Sequence, residues 1–202
     1  MGIKEENEIT VRIIGNIKEV YKILEDKGFE ITEESTYTDI FMIPDYIINK
    51  MSDMESRDIL KHAILIRNLE NKTNNTTNKR ITFKEKQFNN KGEIISQKAT
   101  NCNIYDIDEA ITFFEAIKYS KIMEITERDT IYEKNGLEVA IKDVQNGDNL
   151  IEIETISSDN KFDTIEKLKE KIINLEIPID NNNFFVKKAE IELDKILGKK
   201  TS

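Results

Sequence analysis

The stretch Glu8-Ile9-Thr10-Val11-Arg12-Ile13-Ile14 alternates polar and apolar residues, the period-two pattern of a strand with two unlike faces. Glu8, Thr10 and Arg12 fall on one face, and Ile9, Val11 and Ile13 on the other. The apolar face needs a cover. The charged face either meets bulk water or lines a wet cavity that holds something ionic. Near the far end, Ile151-Glu152-Ile153-Glu154 repeats the alternation and puts Glu152 and Glu154 together. Arg80, Thr82, Lys84 and Lys86 alternate with Ile81, Phe83 and Glu85, and Arg67 closes the run Ile64-Leu65-Ile66. Acidic residues in the outer strands and basic ones in the middle strands would face each other across the lumen of a closed barrel. Unpaired charges there are costly, so a metal ion and an anion would be their natural complement.

Composition narrows the classes. At 202 residues the chain suits one domain, 1–202, with a sizeable core. A formal charge of -9 and a pI near 4.9 argue against general binding to nucleic acid or a membrane surface, which leans on positive potential. The single cysteine, Cys102, has no partner for an internal disulfide and reads as a small buried side chain. The polar opening does not read as a signal peptide, and no apolar run reaches the length of a membrane span, so the expectation is a cytoplasmic protein. The acceptor-like patterns at Asn71, Asn74 and Asn75 then mark only an asparagine-rich loop.

The elements follow from periodicity. Asn16 with Glu19 opens a helix striped by Ile17, Val20, Tyr21 and Leu24, and Gly28 stops it. Residues 29–43 read as extended, ended by Pro44, and 45–61 as mostly helical or irregular around Ile47, Ile48, Met51 and Met54. A short strand over 63–68 precedes a polar connection, Asn71 to Lys79, and strands at about 80–88 and 93–102 joined through Asn89-Asn90-Lys91-Gly92. A helix over 107–118 turns Ile107, Ile111, Phe114 and Ile117 inward. Asn135-Gly136 and Asn146-Gly147 predict hairpins linking strands near 121–133, 137–144 and 150–157. The tail is helical: Asp163 with Glu166 caps a stripe of Ile165, Leu168, Ile172 and Leu175, Pro178 breaks it, and an amphipathic segment runs from Phe185 to Leu197. About eight hairpin-linked strands with helices able to cover their apolar faces predict an α+β fold, an eight-stranded antiparallel β-barrel with helices packed outside.

Common catalytic motifs are absent. There is no Gly-rich phosphate loop, no GxGxxG and no HExxH, and the lone His62 excludes a multi-histidine metal site. Several Glu together with several Arg and Lys suit a hard cation and a phosphate.

In this order the segments resemble a family. The Glu-bearing first strand, Lys27-Gly28-Phe29, Tyr37-Thr38-Asp39-Ile40-Phe41, Ala63-Ile64-Leu65-Ile66-Arg67, Ile81-Thr82-Phe83-Lys84, Ile151-Glu152-Ile153-Glu154 and Val186 to Leu193 are similar to the CYTH superfamily of triphosphate tunnel enzymes. That superfamily includes class IV adenylyl cyclases and inorganic and thiamine triphosphatases. The resemblance implies a tunnel that binds a triphosphate, with Glu8, Glu152 and Glu154 holding Mg²⁺ or Mn²⁺, and Arg12, Arg67 and Lys84 holding phosphates. It places Asp39 at the tunnel or at a turn. Expected partners are ATP, inorganic triphosphate or thiamine triphosphate, converted by a cyclase or hydrolase (phosphatase) reaction, or only bound in a non-catalytic tunnel. No nucleic acid or membrane is expected, and a homodimer is a candidate assembly.

The chain departs from the family's pattern at several positions. Thr10 stands where a second glutamate belongs and Leu65 where a first arginine belongs. Glu127 and Asp129 stand near a Lys-x-Arg, and Lys142 at a position commonly aspartate. Arg12 replaces a lysine, keeping the charge but changing a point cation for a planar fork.

Overall fold

The computed structural model describes residues 8–88, 94–154 and 164–199. The elements run β1 (Glu8–Arg12), α1 (Ile17–Asp26), β2 (Glu30–Pro44), α2 (Asp45–Ile48), α3 (Ser56–Leu60), β3 (Ile64–Asn71), β4 (Thr76–Phe88), β5 (Ile94–Asn103), α4 (Ile107–Ala116), β6 (Tyr119–Lys134), β7 (Leu137–Val144), β8 (Leu150–Glu154), α5 (Ile165–Asn174) and α6 (Lys188–Ile196), with a short 3₁₀ turn at Met51–Asp53. The strands form one antiparallel sheet in the order β1-β8-β7-β6-β2-β3-β4-β5, so the fold is α+β, as the alternation predicts. β1 and β5 stand at the ends of that order, and no pairing joins them among the described residues. The closed barrel is therefore a step beyond what the sheet shows.

Contacts divide the chain into two compact units, one of Met1–Thr36, Asn71–Asn74 and Glu127–Lys187, the other of Tyr37–Glu70, Asn75–Thr126 and Lys188–Ser202. In the first unit the predicted apolar face is the core. Ile9, Val11, Ile151, Ile153, Val139, Ile141 and Tyr132 of the strands pack with Val20 and Leu24 of α1 and Leu168 and Ile172 of α5, each large side chain contributing about 2 kcal/mol of burial. Both helices start on side-chain caps. Asn16 accepts from the Lys18 amide, and Thr164 accepts from the Lys167 amide, the residue after the expected cap Asp163, which lies outside the described residues. The edge of β1 is covered too: Thr10 donates to Phe184 O, Val186 donates to Thr10 O, and Asp180 donates to Arg12 O. An open edge would otherwise invite pairing with another chain.

In the second unit Ile40, Met42 and Ile66 pack with Ala110 and Phe114 of α4, joined by Ile64, Ile81, Ile107 and Ile111. Ile117 was expected inward but is 48% exposed, because α4 stops at Ala116 and the chain turns at Lys118 (φ 69°). Cys102 is exposed rather than buried, since it sits on β5 at the end of the sheet order.

The turns divide likewise. Asn135 (φ 52°) and Gly136 (φ 77°) form the expected two-residue hairpin, with Lys134 and Leu137 paired across it. The other Asn-Gly pair does not. Only Asn146 has a positive φ there (59°), within a longer loop over 145–149. The polar stretch 71–79 is mostly strand, since β3 reaches Asn71 and β4 begins at Thr76. The connection Asn89 to Gly92 lies outside the described residues. No helix of the described residues is long and apolar enough to cross a membrane.

Candidate functional site

The face of the first unit opposite its core carries the charge. Register fixes its membership. Asp129 lies opposite Lys142, Lys142 opposite Leu150 and Ala140 opposite Glu152, and Thr10 opposite Glu152 with Arg12 opposite Leu150. Glu127, Asp129, Lys142, Glu152, Thr10, Arg12 and Glu8 thus share one face across β6, β7, β8 and β1. Glu154 lies opposite Glu8 in the ladder; its side chain lies outside the described residues. Glu127 and Asp129 are 3% and 9% exposed.

One ion pair organises this face. Lys142 Nζ is 2.8 Å from Glu152 Oε1, both side chains 19% exposed. Ala140, opposite Glu152, is small, and a lysine two residues along has the length to cross the diagonal. Thr10 Oγ1 lies 3.2 Å from Glu8 Oε1 and 3.1 Å from Glu152 Oε2. A hydroxyl has one hydrogen to give, so it cannot donate to both carboxylates at once. The pair is best satisfied when Glu8 keeps a proton. Glu8 as a whole residue is exposed, yet lost hydration around its carboxyl lifts its pKa above the usual carboxylate range. The Glu152 charge adds to this, while Lys142 and Lys187 pull back. For Glu152 burial alone would also raise the pKa, but the Lys142 ammonium and the bonds from Lys142, Glu8 and Thr10 hold it below the ordinary value. Burial opposes the Lys142 charge, but Glu152, Asp129 and Glu127 outweigh it and raise its pKa. Arg12 is engaged at the face's border, its Nε 3.0 Å from Asp148 Oδ2.

The second unit has its own charged face, opposite Ile40, Ile66 and Ile81. Asp39, only 2% exposed, accepts two bonds of 2.6 Å from Arg67, Nε to Oδ1 and Nη2 to Oδ2. Such a fork is charge-assisted and fixes the guanidinium plane. The Tyr37 ring centroid lies 4.9 Å from Arg67 Cζ, and Lys188 Nζ stands 3.8 Å from Asp39 Oδ2. On β4, alternation puts Arg80, Thr82 and Lys84 on this same face. Thr82 is buried and donates to Asn101 Oδ1 at 2.8 Å, while Lys84 is exposed. Among the described residues this face carries Arg67, Arg80, Lys84 and Lys188 with the buried carboxylate of Asp39, on a chain of net charge -9.

Of the residues singled out in the sequence, Glu8, Glu152 and Arg12 share the first unit's face, while Arg67 and Lys84 share the second unit's. Sequence reading missed four partners that complete the faces. Lys142, Asp129 and Glu127 read as departures from a pattern, although their alternation in two hairpin-linked strands would have put them beside Glu152. Lys188 lacked any signal, because its approach to Asp39 is set by where α6 begins.

Mg²⁺ and Mn²⁺ want several oxygen ligands around one point. Among the described residues no three of His, Cys, Asp and Glu gather so, although four carboxylates share the first unit's face. Glu152 meets the Lys142 ammonium instead, and the described donors do not fit a divalent ion while Lys142 stands where it does.

No family model matches the chain, and no curated protein matches it. Solved structures do. A protein from Pyrococcus horikoshii OT3 is 18% identical with a TM-score of 0.64, the match covering 94% of this chain and 99% of the other. A candidate adenylate cyclase from Vibrio parahaemolyticus is 11% identical, TM-score 0.55, covering 98% and 99%. A candidate adenylyl cyclase from Hippeastrum, described as having a dominant triphosphatase activity, is 11% identical, TM-score 0.54, covering 97% of each chain. At such identities the likeness is one of fold, and it extends over nearly the whole chain.

Proposed function

We propose that this protein binds a triphosphate-containing small molecule, such as inorganic triphosphate, ATP or thiamine triphosphate, and that binding rather than turnover is its main activity. The supporting observation is the second unit's face, where buried Asp39 orients Arg67 with Lys188 close by and alternation puts Arg80 and Lys84 on the same side. A pre-oriented guanidinium loses little freedom when it meets a phosphate. Arg67 and Lys84 are the assigned phosphate contacts of this face; Arg12, which the resemblance also assigns, is paired with Asp148 on the first unit's face. The closed eight-stranded barrel and membership in the CYTH superfamily, both implied by the resemblance, belong to the same proposal.

The likeness to a fold that includes a candidate cyclase with triphosphatase activity supports a second reading, conversion of the triphosphate with Mg²⁺ or Mn²⁺ held by Glu8, Glu152 and Glu154. That reading requires Lys142 to leave Glu152, and no described side chain is placed as a general base. Thermal melts with each triphosphate, with and without Mg²⁺ or Mn²⁺, combined with assays for released phosphate and cyclic nucleotide, separate the two. A ligand at 100 times its Kd adds about 2.7 kcal/mol. A shift without product supports the binder, a shift with product supports the enzyme, and no shift with any of the three overturns both.

A further inference from the structure

The carboxylates of the first unit's face have no part in the reading of a protein that only binds a triphosphate. Glu8, Glu127, Asp129 and Glu152 lie on that face among the described side chains. Glu8 and Glu152 stand on β1 and β8, and Glu127 and Asp129 on β6, with β7 running between. Lys142 projects from β7 directly opposite Asp129 and reaches Glu152 on the other side at 2.8 Å. Its ammonium is thus flanked by carboxylates from both neighbouring strands. Arg12 is turned to Asp148 and does not do this job.

We propose that the Lys142 ammonium is the resident cation of this face, standing in for a bound metal at Glu152, so that a divalent ion is not taken up there. The observation that carries it is the disposition of the acids. Glu152 meets the Lys142 ammonium, Asp129 stands opposite Lys142 in the ladder, and among the described residues no three acids gather at one point. A cation supplied by the chain needs no uptake from solution, and its position is set by the hairpin register. Glu127 and Asp129, nearly excluded from water, are tolerable only with a positive charge close by. The inference does not depend on what the second unit binds.

Mn²⁺ is the probe, followed by the paramagnetic signal of the free ion and by melting temperature at constant ionic strength. The wild-type protein and Glu152→Gln are expected to take up Mn²⁺ equally weakly. Lys142→Ala, which empties the position, is expected to bind at least tenfold more tightly than wild type and to be stabilised by Mn²⁺, whereas Lys142→Arg keeps the charge and behaves as wild type. Wild-type Mn²⁺ uptake that Glu152→Gln abolishes overturns the proposal, as does a folded Lys142→Ala that gains nothing. If Lys142→Ala does not fold, the comparison of wild type with Glu152→Gln decides alone.

Discussion

At the scale of single residues, Glu8 and Glu152 have the same chemistry and opposite consequences for stability. The native Glu8 carboxyl holds its proton more tightly than in the unfolded chain. Its contribution is therefore most favourable below the ordinary value of 4.5 and is lost as pH rises through the raised folded value. Glu152 is depressed, so its contribution is full above 4.5 and is lost as pH falls through the lower folded value. At pH 7 Glu8→Gln should therefore raise the melting temperature, while Glu152→Gln should lower stability by about 2–3 kcal/mol, since it leaves Lys142 half-buried against a neutral amide. Both differences should shrink as pH falls below 4.5. Melts from pH 3 to 8 would check this, and effects of the same sign at neutral pH would contradict it. Asp39 gives a sharper case. Asp39→Asn strips the buried partner from Arg67 and Lys188, and urea unfolding should show a loss of about 3 kcal/mol or more.

At the scale of elements, two identical dipeptides behave differently. Asn135-Gly136 spans a two-residue turn in which both φ angles are positive, whereas Asn146-Gly147 lies in a longer loop with only Asn146 positive. Gly136→Ala meets no neighbouring atom within 4 Å, so its cost is backbone strain alone, about 1–2 kcal/mol. Gly147→Ala lacks that strain and should cost less. Equal losses in equilibrium unfolding would argue against this assignment of the turns. Strands and amphipathic helices were legible in the sequence because their period is set by burial on one face: Ile9, Val11, Ile151 and Ile153 mark a core before any fold is known. Loop length and helix ends were not, because they depend on partners distant in the chain. Asn71 to Lys79 is polar as a loop would be, yet the ladder continues through most of it. The segment after Pro178 pairs with the free edge of β1, and only tertiary structure shows that edge.

At the scale of the whole molecule, the acidic net charge masks two local faces of different character. One carries its own cation in Lys142, paired with Glu152. The other gathers Arg67 and Lys188 around Asp39. The sequence showed that charged faces existed, through alternation in widely separated strands, but which charges neutralise each other depends on cross-strand register, and Lys142 was legible only as an anomaly. Titrating inorganic triphosphate into the protein calorimetrically, in the presence of a metal chelator, tests this account most directly. Saturable binding without metal is predicted, weakening as salt rises and falling at least tenfold in both Arg67→Ala and Lys84→Ala. Binding that appears only after Mg²⁺ or Mn²⁺ is added, or that survives both substitutions unchanged, would contradict it.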